Sequence, residues 1–322
     1  KDTDNWLLQI ECFDPHEPFH APKRFRDLYP TNYHGPILDW PIYDRVKETK
    51  EEISEIKANY ASLVTMVDEY FGKLLDYFDN NRLWDDTALI LTTDHGFLLG
   101  EHDWWAKNRM PVYNEIAHIP LMIYHPDFSN QGGSRRNSLT QSIDIMPTLL
   151  DLFNMKLPKD VAGKSLVKIL SKDEKIRNSA IFGYFGSACN ITDGRYTYFR
   201  YPEKMTADDL FEYTLMPTRM TSRFSIKELA GSTLSNPFTF SKGLQLLKLR
   251  PKVSEEGEPL EVQGMSFEDT QSQLYDIEKD PKQIHPLDDP SLVSYLLKEM
   301  SQLMKQADAP SELFERFKIN TN

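Results

Sequence analysis

A carboxylate and an imidazole stand side by side at Asp94-His95, inside the run Thr92-Thr93-Asp94-His95-Gly96. The same stretch continues through Gly100-Glu101-His102 to Lys107. Carboxylate oxygen and imidazole nitrogen are donors suited to a divalent cation, and a following glycine lets the backbone come close. Lys107 lies on the same long loop. A metal and an ammonium converging on one point would neutralise a tetrahedral oxyanion. On the dipeptide alone, a turn closing a strand accounts for Asp94 and His95 at least as well.

The elements around these residues decide whether such a point exists. Thr87-Ala88-Leu89-Ile90-Leu91-Thr92-Thr93 is a continuous apolar and β-branched run, as expected of a strand buried on both faces. Ligands of open α/β sheets bind beyond the carboxyl ends of strands, where Asp94 and His95 fall. Upstream, Tyr60, Leu63, Val64, Val67, Phe71, Leu74, Leu75 and Phe78 recur at three- and four-residue spacing, predicting a helix from about residue 54 to 81. Helix followed by buried strand implies an α/β architecture with a parallel sheet. A second strand is predicted over 119–124 and a second helix over 142–153. Residues 6–13 read as a strand that puts Cys12 among buried residues. It ends at the two prolines of Asp14-Pro15-His16-Glu17-Pro18-Phe19, which force an extended or turning path. Residues 22–50 read as a long surface loop.

The character changes after about residue 170. Residues 180–185, 195–200 and 273–277 are short, aromatic, partly alternating runs that predict a small antiparallel sheet. Residues 293–306 predict a C-terminal helix. The stretch 205–263 carries proline, glycine and charge clusters, and its periodicity assigns no element. The division expected is a larger portion over 1–172 and a smaller α+β subdomain over 173–322.

Composition narrows the classes of function. The chain has 322 residues, 40% hydrophobic and 12% aromatic, enough to build a sizeable core. Its formal net charge of −12 disfavours nucleic acid and anionic membrane surfaces. An anionic substrate would need a local cation. No run of about 18 apolar residues is present to span a membrane. Two cysteines, Cys12 and Cys189, make no disulfide framework and leave the compartment open.

The loop from Thr92 to Lys107, read whole as Thr92-Thr93-Asp94-His95-Gly96-Phe97-Leu98-Leu99-Gly100-Glu101-His102-Asp103-Trp104-Trp105-Ala106-Lys107, closely resembles the second metal-binding motif of sulfatases, in the alkaline-phosphatase superfamily. The branch it looks most like includes iduronate sulfatase, choline sulfatase and the phosphonate monoester hydrolases. Ala117-His118-Ile119-Pro120-Leu121-Met122-Ile123, the helix 142–150, Ala162-Gly163-Lys164-Ser165-Leu166 and Leu274-Tyr275-Asp276-Ile277 resemble the family segments that follow, in order. Asp14-Pro15-His16-Glu17-Pro18-Phe19 resembles the family's substrate-side histidine loop. The resemblance implies an alkaline-phosphatase-like α/β fold, a mixed or parallel sheet flanked by helices, and hydrolysis of a small-molecule sulfate ester, a sulfated sugar among the candidates. It implies Asp94 and His95 as ligands of a divalent metal, usually calcium in sulfatases, with Mn2+ or Mg2+ as alternatives. It implies Lys107 and His16 on the sulfate and the leaving group, and His102 as a residue that supports a ligand, contacts the substrate or serves structure. Trp104, Trp105, Asp144 and Asp276 are expected to serve structure.

One departure matters. The family nucleophile is a formylglycine made from the Cys or Ser of a Cys-x-Pro-x-Arg type motif. Cys12 is followed by Phe13-Asp14-Pro15 and Cys189 by Asn190-Ile191-Thr192, so neither fits. The family's paired aspartate ligands are also absent. Both are expected in a segment upstream of Lys1, and the chain by itself is expected to be inactive. A phosphonate monoester or phosphodiester hydrolase on the same scaffold, and a non-catalytic remnant, are the competing expectations.

Overall fold

The structure, a computed structural model, describes residues 4–216, 218–220, 222–250 and 267–320. The chain forms two compact units. One comprises Lys1–Lys107 with Glu115–Arg135, and the other Asn108–Asn114 with Arg136–Asn322.

The first unit is organised by the helix Lys50–Asn81. Its start is set by a capping box: the Thr49 hydroxyl accepts from the Glu52 N–H at 3.3 Å, and the Glu52 carboxylate accepts from the Thr49 N–H at 2.8 Å. The cap lies ahead of the apolar stripe, so the helix begins earlier than periodicity predicts. Ile56, Tyr60 and Leu63 on one helix face pack against Phe19, Ala21, Phe25, Phe97 and Trp105. That cluster is the core of the unit, and it joins the helix to both loops that carry the candidate chemistry.

Strand β1 (Leu89–Thr92) leads into a hairpin of β2 (Leu98–Leu99) and β3 (Trp105–Ala106), and β4 (Leu121–Tyr124) follows. β1 pairs antiparallel with β4, Leu89 opposite Tyr124 and Thr92 opposite Leu121. The expected parallel environment with both faces buried is therefore not what this strand has. Among the described residues β1 and β4 form a sheet of two strands. Thr92 is exposed, and Met122 is 62% exposed. Residues 6–13 likewise differ from the strand expected of them. They run without a ladder partner, leaving Trp6, Leu7, Leu8, Ile10 and Phe13 exposed, and Cys12 is exposed as well. β propensity makes a strand only where a partner edge accepts its N–H and C=O groups.

The second unit contains β5 (Ala180–Gly183), β6 (Cys189–Thr192), β7 (Tyr196–Arg200), β8 (Glu212–Thr214), β9 (Thr233–Leu234), β10 (Leu247–Leu249) and β11 (Gln273–Asp276). An antiparallel sheet of order β11-β7-β6-β5 contains the three predicted strands and adds β6. The helix Pro290–Gln306 lays Leu296, Met300 and Met304 against Ile191, Tyr198 and Leu274 of that sheet. Its N-terminus is capped by Asp289, which accepts from the N–H groups of Ser291 and Leu292. The stretch 205–263, to which periodicity assigns nothing, contains the sheet β8-β10-β9 and the short helix Ile226–Ala230. These strands are too short to show alternation, and residues 251–266 lie outside the described residues. Asp144 is fully buried and pairs with Arg177 at 2.5 Å, and Asp276 pairs with Arg195 at 2.9 Å.

Candidate active site

The loop 14–19 and the hairpin loop 94–107 meet through their aromatic residues. Phe19 stands edge-on to Phe97 with ring centroids 5.4 Å apart, and Tyr60 of the long helix contacts both rings. Trp105 is fully buried in the same cluster, and its indole N–H donates to Glu48 at 2.6 Å. Trp104, also fully buried, lies under the Arg45 guanidinium. Both tryptophans hold the loop, as expected.

Lys107 ends this loop and is only 5% exposed. Its Nζ lies 5.8 Å from the Phe97 ring centroid and 6.0 Å from that of Tyr43. Glu17 Oε2 is 3.6 Å away. Nζ donates no hydrogen bond to a described residue, so an almost buried ammonium keeps its three donors. His16 shares the same carboxylate. Its Nδ1 is 2.7 Å from the Glu17 carbonyl oxygen and 3.4 Å from Glu17 Oε2. A proton on Nδ1 donated to that carbonyl leaves Nε2 as the outward nitrogen. His16 and Lys107 are thus brought to one group, Glu17, a residue to which the sequence pattern assigns no role.

Glu17 is 0% exposed. Burial pushes its carboxyl upward. The Tyr43 hydroxyl, its own backbone N–H, Lys107 and His16 outweigh that and hold it below the usual carboxylate range. Tyr43 donates to Oε1, and burial together with this carboxylate raises its phenol. Glu17 lies in the loop motif 14–19, where its place between two prolines is the available signal. Tyr43 lies in the long loop 22–50, where no local pattern marks it.

Asp94 and His95 form a second pair. Asp94 Oδ1 accepts from the His95 N–H at 2.9 Å and from the Thr93 hydroxyl at 3.3 Å, and Oδ2 is 3.4 Å from His95 Nε2. Burial raises the Asp94 carboxyl, but His95, the two local N–H groups and the Thr93 hydroxyl hold it below the ordinary range. His95 Nδ1 is 2.9 Å from the Gly96 carbonyl, which leaves Nε2 facing the Asp94 oxygen. An imidazole lone pair and a carboxylate oxygen on one side are donors of the right chemistry for a divalent cation. The Asp94 side chain is 82% exposed, open to further ligands. Among the described residues no group of three or more His, Cys, Asp or Glu side chains is gathered to hold a metal. The pair fits part of a shell that for calcium takes about six to eight oxygens.

The backbone fixes these positions tightly. The Gly96 N–H donates to the Ile116 carbonyl at 2.9 Å, and a Cβ built on Gly96 would lie 1.7 Å from the Glu115 carbonyl oxygen. Only glycine allows that approach. Gly100, His102, Asp103 and Ala106 all have positive φ, a left-handed conformation that non-glycine residues adopt at a cost. His102 Nε2 faces Glu115 Oε2 at 3.6 Å, beyond hydrogen-bond distance. Neither cysteine stands in this unit's loop cluster as a nucleophile. Cys12 is exposed upstream of it, and burial pushes the Cys189 thiol in the other unit up to about 12.

Residues 1–155 match the sequence profile of the Sulfatase family, and residues 100–231 match that of the N-sulphoglucosamine sulphohydrolase C-terminal region. The chain is 34% identical over 191 residues to an N-acetylglucosamine-6-O-sulfatase of Bacteroides thetaiotaomicron, covering 58% of this chain and 32% of the relative. It is 27% identical over 266 residues to arylsulfatase K of Xenopus laevis, covering 77% and 46%. The chain therefore spans between about a third and a half of the length of these curated relatives. Phosphonate monoester hydrolase of Agrobacterium radiobacter superposes with a TM-score of 0.54 at 18% identity, over 91% of this chain and 54% of that one. At that identity the likeness is one of fold, α/β and alkaline-phosphatase-like. Two overlapping family profiles that together span residues 1–231, and relatives of the same kind, agree with the ordered motifs and support assigning the chain to the sulfatases of the alkaline-phosphatase superfamily.

Proposed function

We propose that this chain carries the anion-binding part, and a portion of the metal-binding part, of a sulfuric ester hydrolase. The observation that carries the reading is Lys107: an ammonium almost out of water, flanked by two aromatic rings and a carboxylate, with its donors unspent. Such a group is costly to bury and makes sense as a receptor for an oxyanion. Lys107 would donate to a sulfate oxygen and to the ester oxygen. His16, fixed through Nδ1, would present Nε2 to the leaving oxygen and hold the proton there. His102 would border the substrate side, its Nε2 facing Glu115.

Asp94 and His95 would hold the divalent cation, calcium in the first instance with Mn2+ or Mg2+ as alternatives. When bound, it would supply positive charge for the sulfate and for the attacking oxygen. The nucleophile would be a formylglycine carried outside these 322 residues, since neither cysteine sits in its motif. The name of the Bacteroides relative supports a sulfated sugar as the substrate class.

A phosphonate monoester or phosphodiester substrate is the second reading, favoured by the fold shared with the Agrobacterium enzyme. Lys107 and His16 would serve phosphorus as well as sulfur. Comparing kcat/KM of the intact enzyme on an aryl sulfate and an aryl phosphonate monoester decides between them. A higher value on the sulfate is expected, and the reverse order would replace the first reading with the second. A calcium titration showing no specific binding would favour a non-catalytic remnant instead.

A further inference from the structure

Glu17 is a buried acid that the roles above leave unused. Its side chain is wholly excluded from solvent, yet its carboxyl is held toward the ionised form. Tyr43 satisfies Oε1. Oε2 has no hydrogen-bond partner among the described residues and points at two groups, Lys107 Nζ at 3.6 Å and His16 Nδ1 at 3.4 Å. A bare carboxylate oxygen in such a place is costly, and an apolar residue would close the turn more cheaply.

What the oxygen does there follows from its distance. At 3.6 Å it attracts the ammonium without engaging its N–H groups in a formed hydrogen bond. The charge fixes where Nζ sits while the donors stay available to a ligand. Tyr43 contributes twice, because it orients the carboxylate through its hydroxyl and offers its ring to the same ammonium. His16 depends less on the side chain, since its shorter contact is to the Glu17 main-chain carbonyl.

We propose that Glu17 is a positioning residue for Lys107, holding the ammonium by charge alone so that all of its donors face the bound oxyanion. Tyr43 fixes the carboxylate in turn. The proposal rests on the reading of Lys107 as an oxyanion-binding group.

The test is a double-mutant cycle in the intact enzyme, with turnover of an aryl sulfate as readout. Glu17→Gln keeps the size of the side chain and removes its charge, and it is expected to lower kcat/KM by at least about tenfold, since small misplacements of a binding group carry large rate penalties. In a Lys107→Met background the same substitution is expected to change kcat/KM by less than about twofold, because coupled residues are not additive. An equal loss in both backgrounds would mean that Glu17 serves the fold rather than Lys107, and would overturn the proposal. Should Lys107→Met alone leave turnover intact, the reading of Lys107 itself fails, whatever Glu17 does.

A second measurement needs no turnover. Acylation of Lys107 by a water-soluble amine reagent, followed by peptide mass spectrometry and normalised to the exposed Lys73, reports directly on its restraint. Labelling is expected to speed up at least about fivefold in Glu17→Gln and by a smaller factor in Tyr43→Phe, as the counter-charge is removed or loosened. Tyr43→Phe leaves the carboxylate in place and serves if Glu17→Gln does not fold. Unchanged labelling of Lys107 in a folded variant would overturn the proposal.

Discussion

Lys107 has a burial that its type resists, and its ammonium donates no hydrogen bond to a described residue. Replacing it with Met removes the charge and keeps the length of the stem. Turnover of an aryl sulfate by the intact enzyme is expected to fall by about 10²–10³ in kcat, the range seen when one oxyanion donor is lost. A loss confined to KM would mean that Lys107 binds substrate and transition state alike. Glu17 gives a prediction about pH. Its folded carboxyl lies below the unfolded value of about 4.5, so the unfolded chain binds the proton more readily. Its contribution to stability is full above that pH and is lost as pH falls through the lower folded value. Glu17→Gln never has this contribution. Its thermal midpoint should therefore fall less than that of the wild type as the pH is lowered below about 4.5. Parallel curves would show that the carboxyl titrates alike in the folded and unfolded chain.

Loops and helices place those side chains, and their constraints are local and testable. Gly96 is pressed against the Glu115 carbonyl, so Gly96→Ala forces one of two backbones to move. Overpacking of this kind costs about 1–3 kcal/mol or more. A lowered unfolding midpoint is expected, together with proteolytic cutting in the loop 94–107, and an unchanged midpoint would show that the loop can shift. Arg24 ties the segment after the histidine loop to the long helix through Glu69, and its hydrogen bond pushes that carboxyl down to about 2. The tie is present above the ordinary carboxylate range and is lost as pH falls toward about 2. Much of this arrangement was legible in the sequence. The apolar stripe gave the long helix, the aromatic runs gave β7 and β11, and the motif order gave the loop from Asp94 to Lys107. The rest was hidden for physical reasons. A capping box, not periodicity, starts the helix at Lys50. Strand orientation is not written in an apolar run, so β1 was expected in a parallel sheet and instead pairs antiparallel with β4. Glu17 and Tyr43 meet across a separation of 26 residues, a contact that no local pattern announces.

At the scale of the whole molecule, charge and content set what the 322 residues can do. A net charge of −12 repels a sulfate ester until a cation gathers it, so binding must come from the few positive groups at the loops and from a metal. Asp94 and His95 supply two donors, well short of the set calcium prefers. Calcium affinity of these residues alone is therefore expected to be weak, and isothermal titration should find it abolished by Asp94→Ala. Cys12 is exposed and followed by Phe13-Asp14-Pro15, and Cys189 is half-buried and followed by Asn190-Ile191-Thr192. Neither stands in the motif from which the proposed aldehyde nucleophile would be made. These 322 residues expressed alone should thus turn over an aryl sulfate no faster than buffer, with or without calcium, while still showing the labelling behaviour of Lys107. Turnover above background that Lys107→Met abolishes would mean that a nucleophile of another kind lies within this sequence, and the division of the active site proposed above would have to be given up.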